Sequence, residues 1–250
     1  MHLILTGATG LVGSAALDAM LRTPTISKIT ILSRRPVPFA QEASDPRVNV
    51  ILHQNFNQYD TSLLEQLQGA NGCVWALGIS QTLVSAEDYV KITKDYALSA
   101  ANAFENIKPD EGKFRMVYVS GEGTTHNPGR FTPIFGRVKG ETEKELAAIS
   151  ARGTIQVDSV RPSFVDKQGH EAILPYVPAV PFSMKAMVAV AGPFIRGFMP
   201  SQHSPTPMLG RGLVDMAMGK MEGKFEGKGV ERVGGSWIVS NIGFRRMVGA

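Results

Sequence analysis

His2-Leu3-Ile4-Leu5-Thr6-Gly7-Ala8-Thr9-Gly10-Leu11-Val12-Gly13 places a short apolar run directly before three glycines spaced three apart. The run is too short for a helix and reads as a buried strand over 2–6, while 11–21 reads as the helix that follows. In such a strand–loop–helix unit each glycine has its own reason. Gly7 permits a tight turn, Gly10 lets a ligand approach the backbone, and Gly13 allows helix and strand to pack closely. The helix start presents unpaired N–H groups and the positive end of its macrodipole, a combination that attracts an anion.

Outward from this unit, apolar runs alternate with helical patterns, as expected of a parallel sheet covered on both faces. Strands are expected over 28–33, 48–54, 72–77, 114–120, 154–161 and 236–240, and helices over 60–67, 87–104, 133–149 and 209–218. The expected fold class is α/β, a Rossmann-type doubly wound parallel sheet in a single domain spanning 1–250. After Pro162 the pattern loosens, and more than half of the 15 prolines fall between 162 and 207. Residues 163–207 therefore read as a small C-terminal cap.

Composition narrows the function classes. With 43% hydrophobic and 19% charged residues, the 250-residue chain reads as a globular protein with a sizeable core, not a disordered one. The net charge of +4 comes with no Lys/Arg run longer than a pair, so no nucleic-acid footprint is expected. The single cysteine, Cys73, forms no intramolecular disulfide and reads as a small buried hydrophobe. The most apolar stretch, 182–199, is broken by Lys185, Gly192-Pro193 and Arg196, too often for a membrane span. No signal-like leader is seen, and a cytosolic location is expected. Five scattered histidines give no metal-site spacing, so no metal is expected. Gly-x-Ser-x-Gly and P-loop motifs are missing.

The glycine loop in its strand–loop–helix setting points to a dinucleotide, held by Gly7, Thr9, Gly10, Leu11, Val12 and Gly13. About 20 residues on, an NAD site places an acidic residue for the ribose hydroxyls. Here the end of the second strand reads Ser33-Arg34-Arg35. A carboxylate would repel a 2′-phosphate, whereas an arginine can pair with it through a planar fork of donors. The cofactor expected is NADP; the other reading of the two arginines is a solvated surface pair.

Together these residues resemble the extended, atypical branch of the short-chain dehydrogenase/reductase superfamily, with its nucleoside-diphosphate-sugar epimerase-like NADP-binding proteins. The resemblance runs from Met1 to about Pro162. It implies that Ala76, Leu77 and Gly78 lie against adenosine and ribose, that Pro162 borders the cofactor, and that Ser120 lies near the reacting carbonyl. It also implies a Tyr-x-x-x-Lys pair, but the segment here is Phe135-Gly136-Arg137-Val138-Lys139. Lys139 can still reach a ribose. Phe135 has no hydroxyl with which to move a proton. Replacement candidates are His126, Glu122 and Ser120; for His126 and Glu122 the reading as ordinary loop side chains comes first.

Tyr96 and Tyr118 read as core residues, and Tyr176 as a cap residue that could approach a substrate. The cap contributes Tyr176, Val177, Phe182, Met184, Met187, Val188, Phe194, Ile195, Phe198 and Met199. These would line a site for an apolar small molecule, pack on the core, or rest on a membrane interface. The leading expectation is an NADP(H)-dependent reductase of a small, fairly apolar carbonyl or ene substrate, with Ser120, Lys139 and His126 as catalytic candidates. Two readings stay beside it: a non-redox isomerase, cyclase or lyase, and a non-catalytic NADP(H)-binding module. Any oligomer is expected to form through the helices 87–104 and 133–149.

Overall fold

A computed structural model describes residues 1–110, 112–179 and 182–249, without the side chains of 182–188 and 190. The strands are β1 His2–Thr6, β2 Lys28–Ser33, β3 Val48–Leu52, β4 Ala70–Trp75, β5 Arg115–Val119, β6 Gln156–Arg161, β7 Phe164–Asp166, β8 His203–Pro205, β9 Val230–Val233 and β10 Ser236–Ser240. Eight of them form one sheet in the order β3-β2-β1-β4-β5-β6-β10-β9, parallel throughout except for β9. The central strands β1 and β4 are buried along their whole length, which explains their near-continuous apolar sequences.

The helices are α1 Leu11–Leu21, α2 Pro38–Ala43, α3 Thr61–Leu67, α4 Ala86–Val90, α5 Tyr96–Phe104, α6 Ile134–Ala151, α7 Phe182–Phe198, α8 Thr206–Ala217 and α9 Asn241–Val248. One face of the sheet is covered by α1, α2, α8 and α9, the other by α3, α5 and α6. Helices α1 and α8 pack backbone to backbone, because a Cβ on Gly210 would stand 2.3 Å from the Ala15 carbonyl. Cys73 is fully buried in β4, as its apolar neighbours suggest, and so are Tyr118 in β5 and most of Tyr96.

Several boundaries differ from expectation. The helix foreseen over 87–104 contains a π-helical turn, Lys91–Asp95, between α4 and α5, so its middle is wound more widely than an α-helix. β3 stops at Leu52 and β4 starts at Ala70. The short elements α2, β9 and α9 were not foreseen.

The segment expected as a cap, 163–207, is tied to the sheet and its helices through polar contacts and one aromatic stack. Tyr176, expected as a possible substrate contact, stacks on Phe39 with ring centroids 4.6 Å apart and donates its hydroxyl to Glu42. His170 is buried between Asp18 Oδ2 at 3.1 Å and Thr206 Oγ1 at 2.9 Å. Asp166, the last residue of β7 and opposite Pro205 of β8, accepts from Arg196 at 2.6 Å and His203 at 3.0 Å. The lining expected from Phe182, Met184, Met187 and Val188 lies outside the described side chains. Phe194 and Phe198 of α7 are exposed and pack on each other.

Candidate functional site

The glycine loop divides its work as the sequence suggests. Gly7 has φ +70°, and a Cβ there would lie 2.3 Å from the Ala76 carbonyl. A Cβ on Gly13 would lie 2.0 Å from the Gly7 carbonyl, so Gly13 supports the loop from behind. Gly10 faces open space apart from one 3.3 Å approach. Helix α1 starts at Gly10 with no side chain capping it and no acidic residue in its first turn. Helices α3, α4 and α9 are capped by Asp60, Ser85 and Ser240, whereas α2, α6 and α8, like α1, have no side-chain cap. Free first-turn donors and the positive end of the dipole are the features that suit an anion such as phosphate.

A groove crosses the C-terminal ends of the parallel strands in two lobes that share Gly10 and residues 76–80. The first lobe, about 680 Å³, is lined by Gly7, Thr9, Ser33, Arg34, Arg35, Gln54 and Phe56, with no carboxylate among the described residues. The Ser33 hydroxyl donates to the Arg35 carbonyl at 2.7 Å, and Gln54 Nε2 donates to the Arg34 carbonyl at 2.7 Å. Both backbones are thus held, and both guanidinium groups stand at the mouth, exposed.

The second lobe, about 720 Å³, is lined by Leu11, Val12, Leu77, Gly78, Thr93, Ser120, Glu122, Lys139 and Pro162. Ser120 Oγ lies 3.2 Å from Thr124 Oγ1. Lys139 Nζ donates to the carbonyls of Ser120 at 2.8 Å and Val119 at 3.1 Å. Burial lowers the Lys139 ammonium to about 8, against the opposing charge of Glu143. Glu122 accepts from the Asn241 N–H at 2.8 Å at the start of α9. Thr93 was missed: it is only 3% exposed, on the π turn, and its hydroxyl makes no hydrogen bond among the described residues. Nothing in its sequence context marks it, because the widened turn is what brings it to the groove wall.

Two expected site positions are placed elsewhere. His126 does not line the groove. A Cβ on Gly140 would stand 1.9 Å from the Thr125 carbonyl, so the loop lies flat against α6 there. That contact carries His126 to Glu143, with Nε2 2.7 Å from Oε2 and 3.2 Å from Arg161 Nη2. Arg161 Nε also donates to Glu143 Oε1 at 2.9 Å, so the fully buried Glu143 is the hub of a structural network. Phe135 does not line the groove either. Its ring lies over Gly123, where a Cβ would be 3.1 Å from the ring Cζ, and its N–H donates to Gln81 Oε1 at 3.0 Å. The other residues expected to hold the cofactor or act on the substrate carbonyl line the groove, with Gly13 behind it.

No family model matches the chain. It is 34% identical to leucinostatins biosynthesis cluster protein T of Purpureocillium lilacinum over 238 residues, 87% of this chain and 85% of that one. It is 48% identical to botcinic acid biosynthesis cluster B protein 16 of Botryotinia fuckeliana over 155 residues, 61% of this chain and 98% of the relative. A more distant relative, 22% identical over 99% of this chain and 98% of its own length, is the mitochondrial protein fmp52 of Aspergillus clavatus. Among solved structures, the Bordetella bronchiseptica enzyme WbmF, in complex with NAD+ and UDP, superposes with TM-score 0.64 at 13% identity, covering 96% of this chain and 71% of that one. The PhqB reductase domain from Penicillium fellutanum gives TM-score 0.64 at 15% identity, covering 96% and 66%. Among the described residues no helix is long and apolar enough to cross a membrane.

Proposed function

The chain belongs to one family with the leucinostatins cluster protein, and on that premise we propose that it is a member of the extended, atypical branch of the short-chain dehydrogenase/reductase superfamily, binds NADP(H) and reduces a small, fairly apolar carbonyl or ene compound. The observation that carries this reading is the continuity of the groove. It joins an uncapped helix start and two arginines that have no carboxylate partner among the described residues to a Ser120–Lys139 end. The first-turn amides of α1 would hold the pyrophosphate, Arg34 and Arg35 the 2′-phosphate, and Leu77 and Gly78 the ribose side. Lys139 and Pro162 would border the nicotinamide end. When bound, the dihydronicotinamide supplies a hydride. Ser120 would polarise the acceptor carbonyl, and the proton would come from a group other than tyrosine. Relatives named for biosynthesis clusters fit a tailoring step on a small metabolite.

Phe135 favours a second reading: a groove that holds NADP(H) without redox turnover, as a non-redox isomerase, cyclase or lyase, or as a non-catalytic binding module. The full chain, incubated with NADPH and a panel of aryl ketones, aldehydes and enones, separates the two. Loss of nicotinamide absorbance with reduced product by mass spectrometry supports the reductase; binding without oxidation across the panel overturns it. The proposed cytosolic location is tested by fractionating cells that express the full chain, since the fmp52 relative is named mitochondrial.

A further inference from the structure

Lys139 is placed unlike a lysine that serves as a charge. Its Nζ meets two backbone carbonyls, of Ser120 at 2.8 Å and Val119 at 3.1 Å, at the end of β5. No carboxylate lies within ion-pair distance of it among the described residues. Glu143, one turn along α6, has both oxygens occupied by Arg161 and His126. A neutral amine has two N–H donors and one lone pair. The two carbonyls use both donors and leave the lone pair without a protein partner among the described residues, and Lys139 lines the groove together with Ser120 and Thr93.

From this placement we infer that Lys139 captures carbonyl compounds, condensing with a small apolar aldehyde or ketone in the nucleotide-free groove to form an imine at Nζ. The Nζ lone pair attacks the carbonyl carbon and a C–N bond forms. The carbonyl oxygen, oriented by the Ser120 hydroxyl, takes up a proton as the nitrogen loses one, giving a carbinolamine. The hydroxyl then leaves with a second proton as water, so amine and carbonyl become imine and water with no oxidant or reductant. Hydrolysis reverses the step. The activity is distinct from hydride transfer and does not depend on it.

The surroundings favour the reacting form. Burial pulls the ammonium down to about 8, and Glu143 on its own helix opposes that pull. From β5 the Tyr118 ring centroid lies 5.7 Å from Nζ, and across the groove Glu122 is tied to the start of α9. An amine that titrates near 8 is about half neutral at pH 8, whereas an ordinary lysine, near 10.4, is neutral to well under about 1%. The Ser120–Thr124 hydroxyl pair supplies the donor for the carbonyl oxygen.

Benzaldehyde with sodium cyanoborohydride, applied to the full chain without nucleotide across a pH series, traps such an imine as a benzylated lysine that peptide mass spectrometry locates. Lys139 is expected to react roughly tenfold faster or more at pH 8 than the exposed Lys91, Lys108 and Lys228, with half-maximal rate near pH 8. Lys139→Arg keeps the donors to the two carbonyls and is expected to remove the fast site alone. Ser120→Ala is expected to slow Lys139 about tenfold and leave the exposed lysines unchanged. Lys139 reacting no faster than the exposed lysines, or a fast site surviving in Lys139→Arg, overturns the proposal. Because nucleotide is absent, such a failure leaves the NADP(H) reading untouched.

Discussion

Arg35 Nη2 donates to the Thr9 hydroxyl across 3.2 Å, joining the end of β2 to the glycine loop at the mouth of the groove. Among the described residues neither Arg34 nor Arg35 is paired with a carboxylate, so both are available to a phosphate. A charge-assisted hydrogen bond contributes roughly 1.5–3 kcal/mol, about ten- to hundredfold in affinity. Arg35→Ala and Arg34→Ala are each expected to weaken NADPH binding by at least about tenfold. NADH affinity should change by less than about twofold. Fluorescence titration of both nucleotides with each variant checks this.

Glu143 concerns stability. It is wholly buried and neutralises Arg161 through two contacts, at 2.9 and 2.5 Å. Removing one partner of a buried pair strands the other, at a cost of about 3–5 kcal/mol. Glu143→Ala is therefore expected to lower the unfolding free energy by about that amount in a urea titration. His126→Ala loses only the outer member of the network and should cost about 1 kcal/mol. It should also leave NADPH affinity unchanged, since His126 does not line the groove.

Phe135→Tyr supplies the hydroxyl that the resemblance expects four residues before the lysine. General acid help is worth about 10²–10⁴ in rate, but the Phe135 ring lies over Gly123 and outside the groove, so any carbonyl reduction is expected to change by less than about tenfold. Steady-state assay of variant and parent on the same ketone measures it. A larger gain would mean that the Phe135 position does reach the substrate.

Asp158 gives a pH signature. It lies in β6 with Oδ1 accepting from Gln156 Nε2 at 2.6 Å and the Trp237 N–H at 2.8 Å, and burial pushes its carboxyl up to about 6. A folded-state value above the unfolded one means that the folded chain binds the proton more tightly. The contribution is present below about pH 4 and is lost as pH rises through about 6, a change on the order of 2–3 kcal/mol. Asp158→Asn keeps the acceptor oxygen and should raise Tm at pH 8 while leaving it nearly unchanged at pH 4. His2, lowered to about 4 chiefly by burial and then by the Lys28 charge, acts in the opposite sense. It loses stability as pH falls from the ordinary histidine range toward 4, so the wild-type profile is flatter than that of the Asp158→Asn variant.

Where a local pattern determined the structure, the sequence could be read. β1, the glycine loop and α1 fall at their expected bounds because the apolar run, the turn glycines and the helix start act over neighbouring residues. The same holds for Ser33-Arg34-Arg35, which only had to follow β2. What depended on contacts between distant residues could not be read. His126 is drawn from the groove by Gly140 and Glu143, which lie on another element. Glu143 looks like one of three surface glutamates on α6 until Arg161 arrives from β6. The π turn that delivers Thr93 is a choice of hydrogen-bond register with no compositional mark. α9 carries Gly243 and two arginines in eight residues, and only its Ser240 cap and the packing of Phe244 and Met247 make it a helix.

Whether the groove holds a phosphorylated nicotinamide dinucleotide is tested most directly by isothermal titration of the full, unmodified chain with NADPH and with NADH at the same ionic strength. One site per chain with NADPH bound at least about tenfold more tightly than NADH is the expected result. Equal affinity for the two nucleotides, or no binding of either, would contradict it.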